Sequence, residues 1–218
     1  MLLARGPSPY EVLNDLDGEV YNFWRVLREL PEDLRELLTM TPYSRDEYLD
    51  CRDRPSEGLS DLERARRFFT RANLAFNAST STVGYSSGSF GHSPKPTAFA
   101  TKVDRLAAIA ERLRSVEVEN MDALKLIDRW DNEDVALYLD PPYLDEVRVN
   151  VGDYATDNGS LAFHENLVER LRTFRGTAVL SGYAHPLYDT LGWTRVDIEV
   201  QAGSSGSGRR TECLWVNV

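Results

Sequence analysis

The sequence predicts an α/β fold built on a mostly parallel sheet with helices on both faces. The first observation is that short strand-like segments alternate with segments of helical periodicity along most of the 218 residues. The second is that these strand-like segments are largely apolar, which is typical of strands buried on both faces. The third is a globular composition, with 42% hydrophobic and 28% charged residues, which argues against a disordered chain.

The chain opens with one strand and two helices. Residues 10–15 (YEVLND) form a short β-rich run. Over 17–30, apolar residues then recur at helical spacing, which predicts an amphipathic helix. Pro31 suits the first turn of a further helix over 31–38.

A helix and a long loop follow. Ser60 and Glu63 have the spacing of a capping box and predict a helix over 60–76. Residues 77–97 are dense in Ser, Thr, Gly and Pro and carry no helical period, so they predict a long loop. Loops of this length are uncommon in compact domains unless they are functional or disordered.

The second half of the chain continues the alternation. Helices are predicted over 99–114, 121–130 and 163–174, and strands over 116–120, 135–140 and 177–183. The last two strand-like segments, 193–200 and 212–218, flank a polar loop and predict a C-terminal antiparallel hairpin.

Several classes of protein are excluded or disfavoured by composition. Two cysteines, Cys51 and Cys213, rule out a disulfide framework and a four-cysteine zinc site. The three histidines are scattered, so no metal site is predicted. No apolar run approaches the roughly 20 residues that span a bilayer, and the first residues do not have the pattern of a secretory signal. We therefore expect a cytoplasmic protein.

Three aspartates follow predicted strands. In parallel sheets, ligand sites lie just past the carboxyl ends of the strands. This rule directs attention to Asp15, Asp122 and Asp140. The alternative for Asp15 and Asp122 is that each caps the helix that follows it.

The most informative segment is 135–143 (VALYLDPPY), in which an apolar strand runs into Asp-Pro-Pro-Tyr. The alternative is that the prolines only terminate the strand. An aspartate at a strand end, two rigid prolines and an aromatic residue together favour a functional site.

These residues resemble the amino-methyltransferases that carry Asp-Pro-Pro-Tyr, particularly the Dam-type DNA adenine methyltransferases. Four further segments, taken in chain order, are similar to that family: 11–28, 120–122, 180–189 and 209–217. The resemblance implies a Rossmann-like S-adenosylmethionine-dependent methyltransferase fold with a C-terminal β-hairpin. It also implies methyl transfer to the exocyclic amine of adenine in double-stranded DNA.

The resemblance assigns catalysis to Asp140, Pro141, Pro142 and Tyr143. The Asp140 carboxylate and the Pro141 carbonyl would accept hydrogen bonds from the target amine, since the prolines fix φ and remove N–H donors. Tyr143 would stack on a base taken out of the duplex. For S-adenosylmethionine, the resemblance implies that Asp15 binds the ribose and Asp122 binds the adenine.

The segment between the second and third strands resembles the family's target-recognition region. We expect residues 1–41 and 98–218 to form the catalytic domain and 42–97 to form a recognition insertion. The net charge of the whole chain is −10, which disfavours a nucleic-acid partner. Residues 42–115, however, carry 12 basic and 9 acidic side chains, and this local balance of +3 favours binding of a polyanion. The predicted DNA-binding residues are Arg66, Arg67, Arg71, Tyr85, Lys95, Arg209 and Arg210. A solvated arginine face and an ordinary hairpin loop are the alternatives.

The chain departs from the family in one respect. The family normally has a first strand that ends in a Phe-x-Gly-x-Gly-like loop near the methionine part of the cofactor, and no such motif occurs here. We expect the missing strand to lie between the strands that end at Asp15 and Asp140, an upstream start codon to encode it, and the 218-residue chain alone to bind S-adenosylmethionine weakly.

Adenine-specific DNA methylation is thus the predicted function, with two alternatives. The first is an inactive DNA-binding remnant or one part of a split methyltransferase. The second is amino-methyl transfer to cytosine, RNA or a protein glutamine. The sequence specifies neither the DNA recognition site nor whether a cognate restriction endonuclease is a partner.

Overall fold

The computed structural model describes residues 2, 5–75, 85–86, 95–144, 159–201 and 209–217. These residues form a mixed α/β structure, as predicted. The chain divides into two compact units, Met1–Asn120 and Met121–Val218. None of the described helices is both long and apolar enough to cross a membrane.

The first unit is mainly helical. Its elements are β1 (Val12–Asn14), α1 (Gly18–Glu29), α2 (Pro31–Met40), α3 (Arg45–Asp53), α4 (Asp61–Leu74), α5 (Lys95–Leu113) and β2 (Glu117–Glu119). Strands β1 and β2 pair in parallel, with Leu13 opposite Val118.

Side-chain caps begin the helices of the first unit where the sequence supplies Ser or Asp. The Asp17 carboxylate accepts from the Glu19 N–H at the start of α1. The Ser60 hydroxyl accepts from the Glu63 N–H at the start of α4, which confirms the helix start that the capping-box spacing predicted. Such caps satisfy N–H groups that have no partner within the helix.

The core of the first unit joins the predicted insertion to the predicted catalytic domain. Phe69 of α4 stacks on Phe23 of α1 at 5.8 Å between ring centroids and contacts Phe99 of α5 at 5.7 Å. Tyr48 of α3 belongs to the same buried cluster. Within the described residues, the segment 42–97 therefore shares one core with α1, α2 and α5.

The second unit is a four-stranded sheet with helices. Its elements are α6 (Ala123–Arg129), β3 (Ala136–Leu139), α7 (Leu161–Thr173), β4 (Thr177–Tyr183), α8 (Pro186–Asp189), β5 (Thr194–Gln201) and β6 (Arg209–Val216). The strand order is β3-β4-β6-β5. Strands β3 and β4 are parallel, whereas β6 is antiparallel to both β4 and β5.

The core of the second unit packs helix side chains on one face of this sheet. Leu180 and Trp215, which are paired across β4 and β6, are both buried in a cluster with Leu167 of α7. The His164 ring is fully buried, and its Nδ1 lies 2.7 Å from the Tyr188 hydroxyl oxygen. Nδ1 of His185 accepts from the Leu187 N–H at the start of α8. Both histidines thus take part in hydrogen bonds within the second unit.

The structure corrects four details of the predicted secondary structure. The described strands form two sheets rather than one, because β1 pairs with β2 and β3 pairs with β4. Helix α3 was not predicted, since its sequence is too polar to show a helical period; it is held by the Ser44 cap. Helix α8, which is only four residues long, was not predicted either. Helix α5 begins at Lys95 rather than 99.

Candidate functional site

The Asp-Pro-Pro-Tyr turn lies directly at the carboxyl end of β3, as the sequence predicted. Leu139 is the last residue of the strand and pairs with Leu180 of β4. The Asp140 side chain that follows is exposed, and Tyr143 is half-buried. Leu144 is buried in the core of the second unit and therefore anchors the far end of the turn.

Strand β4 contacts both ends of this turn. The Ser181 hydroxyl lies 2.9 Å from Oδ1 of Asp140 and 3.1 Å from the carbonyl oxygen of Leu139. The Tyr183 ring stacks on the Tyr143 ring with 4.2 Å between centroids and 30° between the planes. Sequence reasoning did not identify Ser181 or Tyr183, because their partners are about forty positions away and only the strand register brings them together.

In the first unit, Asp15 and Asn120 meet at the carboxyl ends of β1 and β2. The Asn120 amide donates to the backbone carbonyls of Asp15 and Leu16 at 2.7 and 2.9 Å. The Asp15 N–H donates to the carbonyl of Glu119 at 3.2 Å. Asn120 therefore fixes the turn after β1, a role that the sequence did not predict.

Asp15 does not cap the following helix. Its Oδ1 accepts from the Asp17 N–H at 2.9 Å, and Asp17 is the residue that caps α1. Burial raises the pKa of Asp15, and the hydrogen bond from Asp17 only partly opposes this. Among the described residues, no hydrogen bond reaches the other carboxylate oxygen, which leaves an acceptor at the strand end.

We expect Asp15→Asn to raise stability at neutral pH. The pKa of Asp15 is higher in the folded chain than in the unfolded chain, so the stability linked to protonated Asp15 is complete below the unfolded pKa and is lost as pH rises through the folded pKa. An asparagine cannot ionise and still accepts from the Asp17 N–H. Partial exposure limits the gain to less than about 1 kcal/mol.

Thermal melts of both proteins test this expectation. The difference in melting temperature should be larger at about pH 7 than at about pH 4, near the unfolded pKa of an aspartate. A variant that is less stable than wild type at both pH values would contradict the expected cost of the ionised form.

Asp122 is the N-cap of α6. Its Oδ1 accepts from the N–H groups of Leu124 and Lys125 at 3.0 and 3.1 Å. This is the alternative that the sequence left open for this residue. The capping role does not test the predicted contact with cofactor adenine, because a carboxylate has a second oxygen and further lone pairs.

We expect Asp122→Ala to lower the free energy of unfolding by about 1 kcal/mol, the typical loss for an N-cap. Asp122→Asn is the matched control, since its side-chain oxygen can still accept from both N–H groups. Urea unfolding of the two variants measures the difference. Equal loss in both would show that charge at the helix start, not capping, is what Asp122 contributes.

Arg66 and Arg67, two predicted DNA contacts, are engaged with carboxylates. Arg66 pairs with Glu47 at 2.6 Å and with Glu63 at 2.7 Å, and only 14% of its side chain is exposed. Arg67 pairs with Glu63 at 3.0 Å. The hydrogen bond to Glu63 raises the pKa of Arg66. A phosphate contact by these arginines would have to compete with these ion pairs, and their predicted role in DNA binding stays a prediction.

The remaining predicted DNA contacts lie in different surroundings. Within the described ranges, the buried Nε of Arg71 has no hydrogen-bond partner. Tyr85 is half-buried, and its ring packs against the Tyr43 ring with 5.6 Å between the centroids. Lys95 is exposed at the start of α5. Arg209 and Arg210 begin β6, where Arg210 pairs with Val200 of β5. Most of the predicted loop over 77–97 lies outside the described residues.

Comparison with known proteins identifies a family for most of the chain. The sequence profile of the family described as D12 class N6 adenine-specific DNA methyltransferase matches residues 4–189. Type II methyltransferase M1.LlaDCHI of Lactococcus lactis subsp. cremoris is 28% identical over 143 residues. That alignment covers 61% of this chain and 49% of the relative, so the chain spans about half the length of the curated relative that it matches.

Proposed function

Because the chain belongs to the D12 class of N6 adenine-specific DNA methyltransferases, we propose that it methylates the exocyclic amine of adenine in double-stranded DNA, with S-adenosylmethionine as methyl donor. The observation that carries the proposal is the Asp-Pro-Pro-Tyr turn, which lies at the carboxyl end of β3 beside β4. A site just past a strand end is the usual position for ligands in α/β sheets.

The proposed mechanism relies on hydrogen-bond acceptors. The lone pair of the adenine amine is delocalised into the ring, so the amine is a poor nucleophile. The Asp140 carboxylate and the Pro141 carbonyl would accept from its two N–H groups and favour a pyramidal nitrogen with a localised lone pair. Pro142 restricts the turn, and Tyr143 would stack on the extruded base. Methyl transfer gives a methylated ammonium, which then loses one N–H proton; because this ammonium is acidic, no strong base is needed.

Two carboxylates suit the nucleoside group of the cofactor, that of Asp15 in the first unit and that of Asp122 in the second. Asp15 lies at the end of β1, and one of its carboxylate oxygens is not hydrogen-bonded within the described residues, which suits acceptance from ribose hydroxyls. Asp122 would accept from the adenine amine in addition to capping α6. When bound, the cofactor supplies an electrophilic methyl group on a sulfonium; the chain's contribution is positioning.

The finer architecture belongs to the same proposal. A Rossmann-like methyltransferase fold is supported by the parallel pairs β1–β2 and β3–β4 and by the antiparallel strands β5 and β6. Residues 1–41 and 98–218 would carry catalysis, and 42–97 would carry target recognition. The proposed DNA contacts of this region are Arg66, Arg67, Arg71, Tyr85 and Lys95, with Arg209 and Arg210 on β6. A cognate restriction endonuclease is proposed as a further partner; the similar Lactococcus protein is named a Type II methyltransferase.

The test is a methylation assay with product identification. Purified chain is incubated with S-adenosylmethionine and, in separate reactions, duplex DNA, RNA and protein; digested products are identified by mass spectrometry. N6-methyladenine in the DNA is the expected product. Methylated cytosine, RNA or glutamine as the main product would move the chain to the alternative substrate class, and no transfer to any of them would contradict the proposal.

One observation favours a second candidate, one part of a split methyltransferase. Within the described residues, β1 and β3 belong to different sheets, and each pairs on one side only. A strand from another polypeptide could extend either sheet, at β1 or at β3. Isothermal titration of the purified chain with S-adenosylmethionine separates the two candidates: micromolar binding by the chain alone supports the complete enzyme, and binding that requires a second polypeptide supports the split enzyme.

A further inference from the structure

Two side chains of β4 contact the Asp-Pro-Pro-Tyr turn, which indicates that this strand helps to position the turn. Ser181 and Tyr183 are two positions apart and therefore project from the same face of β4. The parallel register places Leu139 opposite Leu180. The residue after Leu139 is Asp140, which the register thus brings beside Ser181.

Ser181 has the chemistry to hold the Asp140 carboxylate. Its hydroxyl carries one proton, and both acceptors within reach, Asp140 Oδ1 at 2.9 Å and the Leu139 carbonyl at 3.1 Å, belong to the end of β3. A hydrogen bond to a carboxylate is the stronger of the two. It restricts rotation of the Asp140 side chain, and the second oxygen, Oδ2, remains the acceptor for a substrate amine.

The serine is also unusual for its position. Segment 177–183 (TAVLSGY) is apolar from Ala178 to Leu180, and valine or isoleucine would suit a strand better than serine. Ser181 is half-buried, where an unpaired hydroxyl would be costly. Its partners at the end of β3 therefore explain why a hydroxyl is present.

Tyr183 gives the same support to the other end of the turn. Its ring lies 4.2 Å from the Tyr143 ring with a 30° tilt, which is a close, nearly parallel arrangement. This contact fixes the plane of the Tyr143 ring, and that plane determines where a base can stack.

We infer that Ser181 and Tyr183 are positioning residues of the methyl-transfer site: Ser181 orients the Asp140 carboxylate, and Tyr183 orients the Tyr143 ring. The inference deepens the proposed function and rests on it. One rigid strand then sets the distance between the acceptor for the target amine and the stacking surface for the target base. Sites held by rigid elements keep the geometry that catalysis requires.

Steady-state methylation of duplex DNA by the full chain tests the role of Ser181. Ser181→Ala is expected to lower kcat about 10–100-fold, the range found when a partner of a metal ligand is removed at metal sites. KM for DNA is expected to stay within about twofold, since the proposed role gives Ser181 no contact with either substrate. Ser181→Thr keeps the hydroxyl and suits a strand, so it is expected to restore most of kcat.

Ser160→Ala is the matched control for hydroxyl loss. Ser160, in the same unit, caps α7 by accepting from the Phe163 N–H at 3.3 Å, and no hydrogen bond of its side chain to the turn is found among the described residues. This variant is expected to melt at a lower temperature with kcat unchanged. For Tyr183, the Phe variant keeps the ring and is expected to lose less kcat than the Ala variant.

The possible results distinguish a failure of the proposed methylation activity from a failure of the positioning role of Ser181. A wild-type chain that does not methylate adenine overturns the proposed function and this inference with it. An active wild type whose Ser181→Ala variant retains near-normal kcat overturns the inference alone. Equal impairment of Ser181→Ala and Ser181→Thr, or a loss that only follows the melting temperature as in Ser160→Ala, also overturns it.

Discussion

Replacement of Asp140 by alanine is expected to abolish methyl transfer and to leave the fold intact. The Asp140 side chain is exposed, and its described hydrogen bond is the one from the Ser181 hydroxyl. Its removal therefore opens no cavity and leaves a hydroxyl that can still donate to the Leu139 carbonyl at 3.1 Å. The free energy of unfolding is therefore expected to change little, whereas the target amine loses its charged acceptor.

The expected loss of rate follows from the stage of the reaction at which the hydrogen bond between the target amine and Asp140 is strongest. The interaction strengthens as positive charge develops on the attacking nitrogen, so it stabilises the transition state more than the bound substrate. Removing one preorganised group of this kind typically costs about 10²–10³-fold in rate, or roughly 3–4 kcal/mol. We expect kcat to fall at least this far and KM for DNA to change little.

Single-turnover methylation of an adenine-containing duplex measures this loss, and thermal melts check the fold. Asp134→Ala is the matched control, because Asp134 is an exposed aspartate shortly before the same strand and lies outside the proposed site. It removes the same charge and is expected to keep the wild-type rate. An Asp140→Ala protein that methylates at a near-normal rate would remove Asp140 from the mechanism.

The strand and turn over 135–143 could be predicted from sequence because their determinants are local. Consecutive apolar residues predict the strand, and two prolines set the end of it; the burial that they also predict is wrong for Ala136 and Tyr138, which are exposed. The same holds for α4, whose start at Ser60 depends on a side chain and an N–H group only three residues apart. Where a feature is fixed by neighbours in the chain, periodicity and capping rules suffice.

The supporting residues could not be predicted because their partners are distant. Ser181 and Tyr183 read as ordinary strand residues until the register of β3 on β4 is known. Arg66 reads as a surface charge at helical spacing, and its pairing with Glu47 depends on how α3 packs on α4. The sequence reveals the charge of such residues but not whether the charged group already forms an ion pair with a carboxylate.

Gly176→Ala is expected to be strongly destabilising, because the backbones of β3 and β4 converge at this glycine. A Cβ atom added there would lie 2.3 Å from the Val135 carbonyl oxygen and 2.6 Å from that of Asn132. Both are backbone atoms of the segment that leads into β3, so they cannot rotate away as a side chain would.

The neighbouring hydrogen bonds resist the necessary shift. The Thr177 N–H donates to the Val135 carbonyl at 2.9 Å, and the Asn217 amide donates to the Gly176 carbonyl at 2.9 Å. To accept a methyl group, β4 must move away from β3 and weaken these bonds. We expect the free energy of unfolding to fall by about 3–5 kcal/mol, at the upper end for overpacking.

The same displacement should also reduce methyl transfer by the folded fraction, because it separates Ser181 from Asp140. Gly182→Ala is the matched control: this glycine is buried on the same strand, but an added Cβ would meet Tyr188 at 3.5 Å and Trp215 at 3.7 Å, which is ordinary contact. Urea unfolding of both variants measures the difference in stability. If Gly176→Ala unfolds at the same urea concentration as Gly182→Ala, the two strands are not held together as closely as these distances require, and the coupling of β4 to the Asp-Pro-Pro-Tyr turn loses its structural basis.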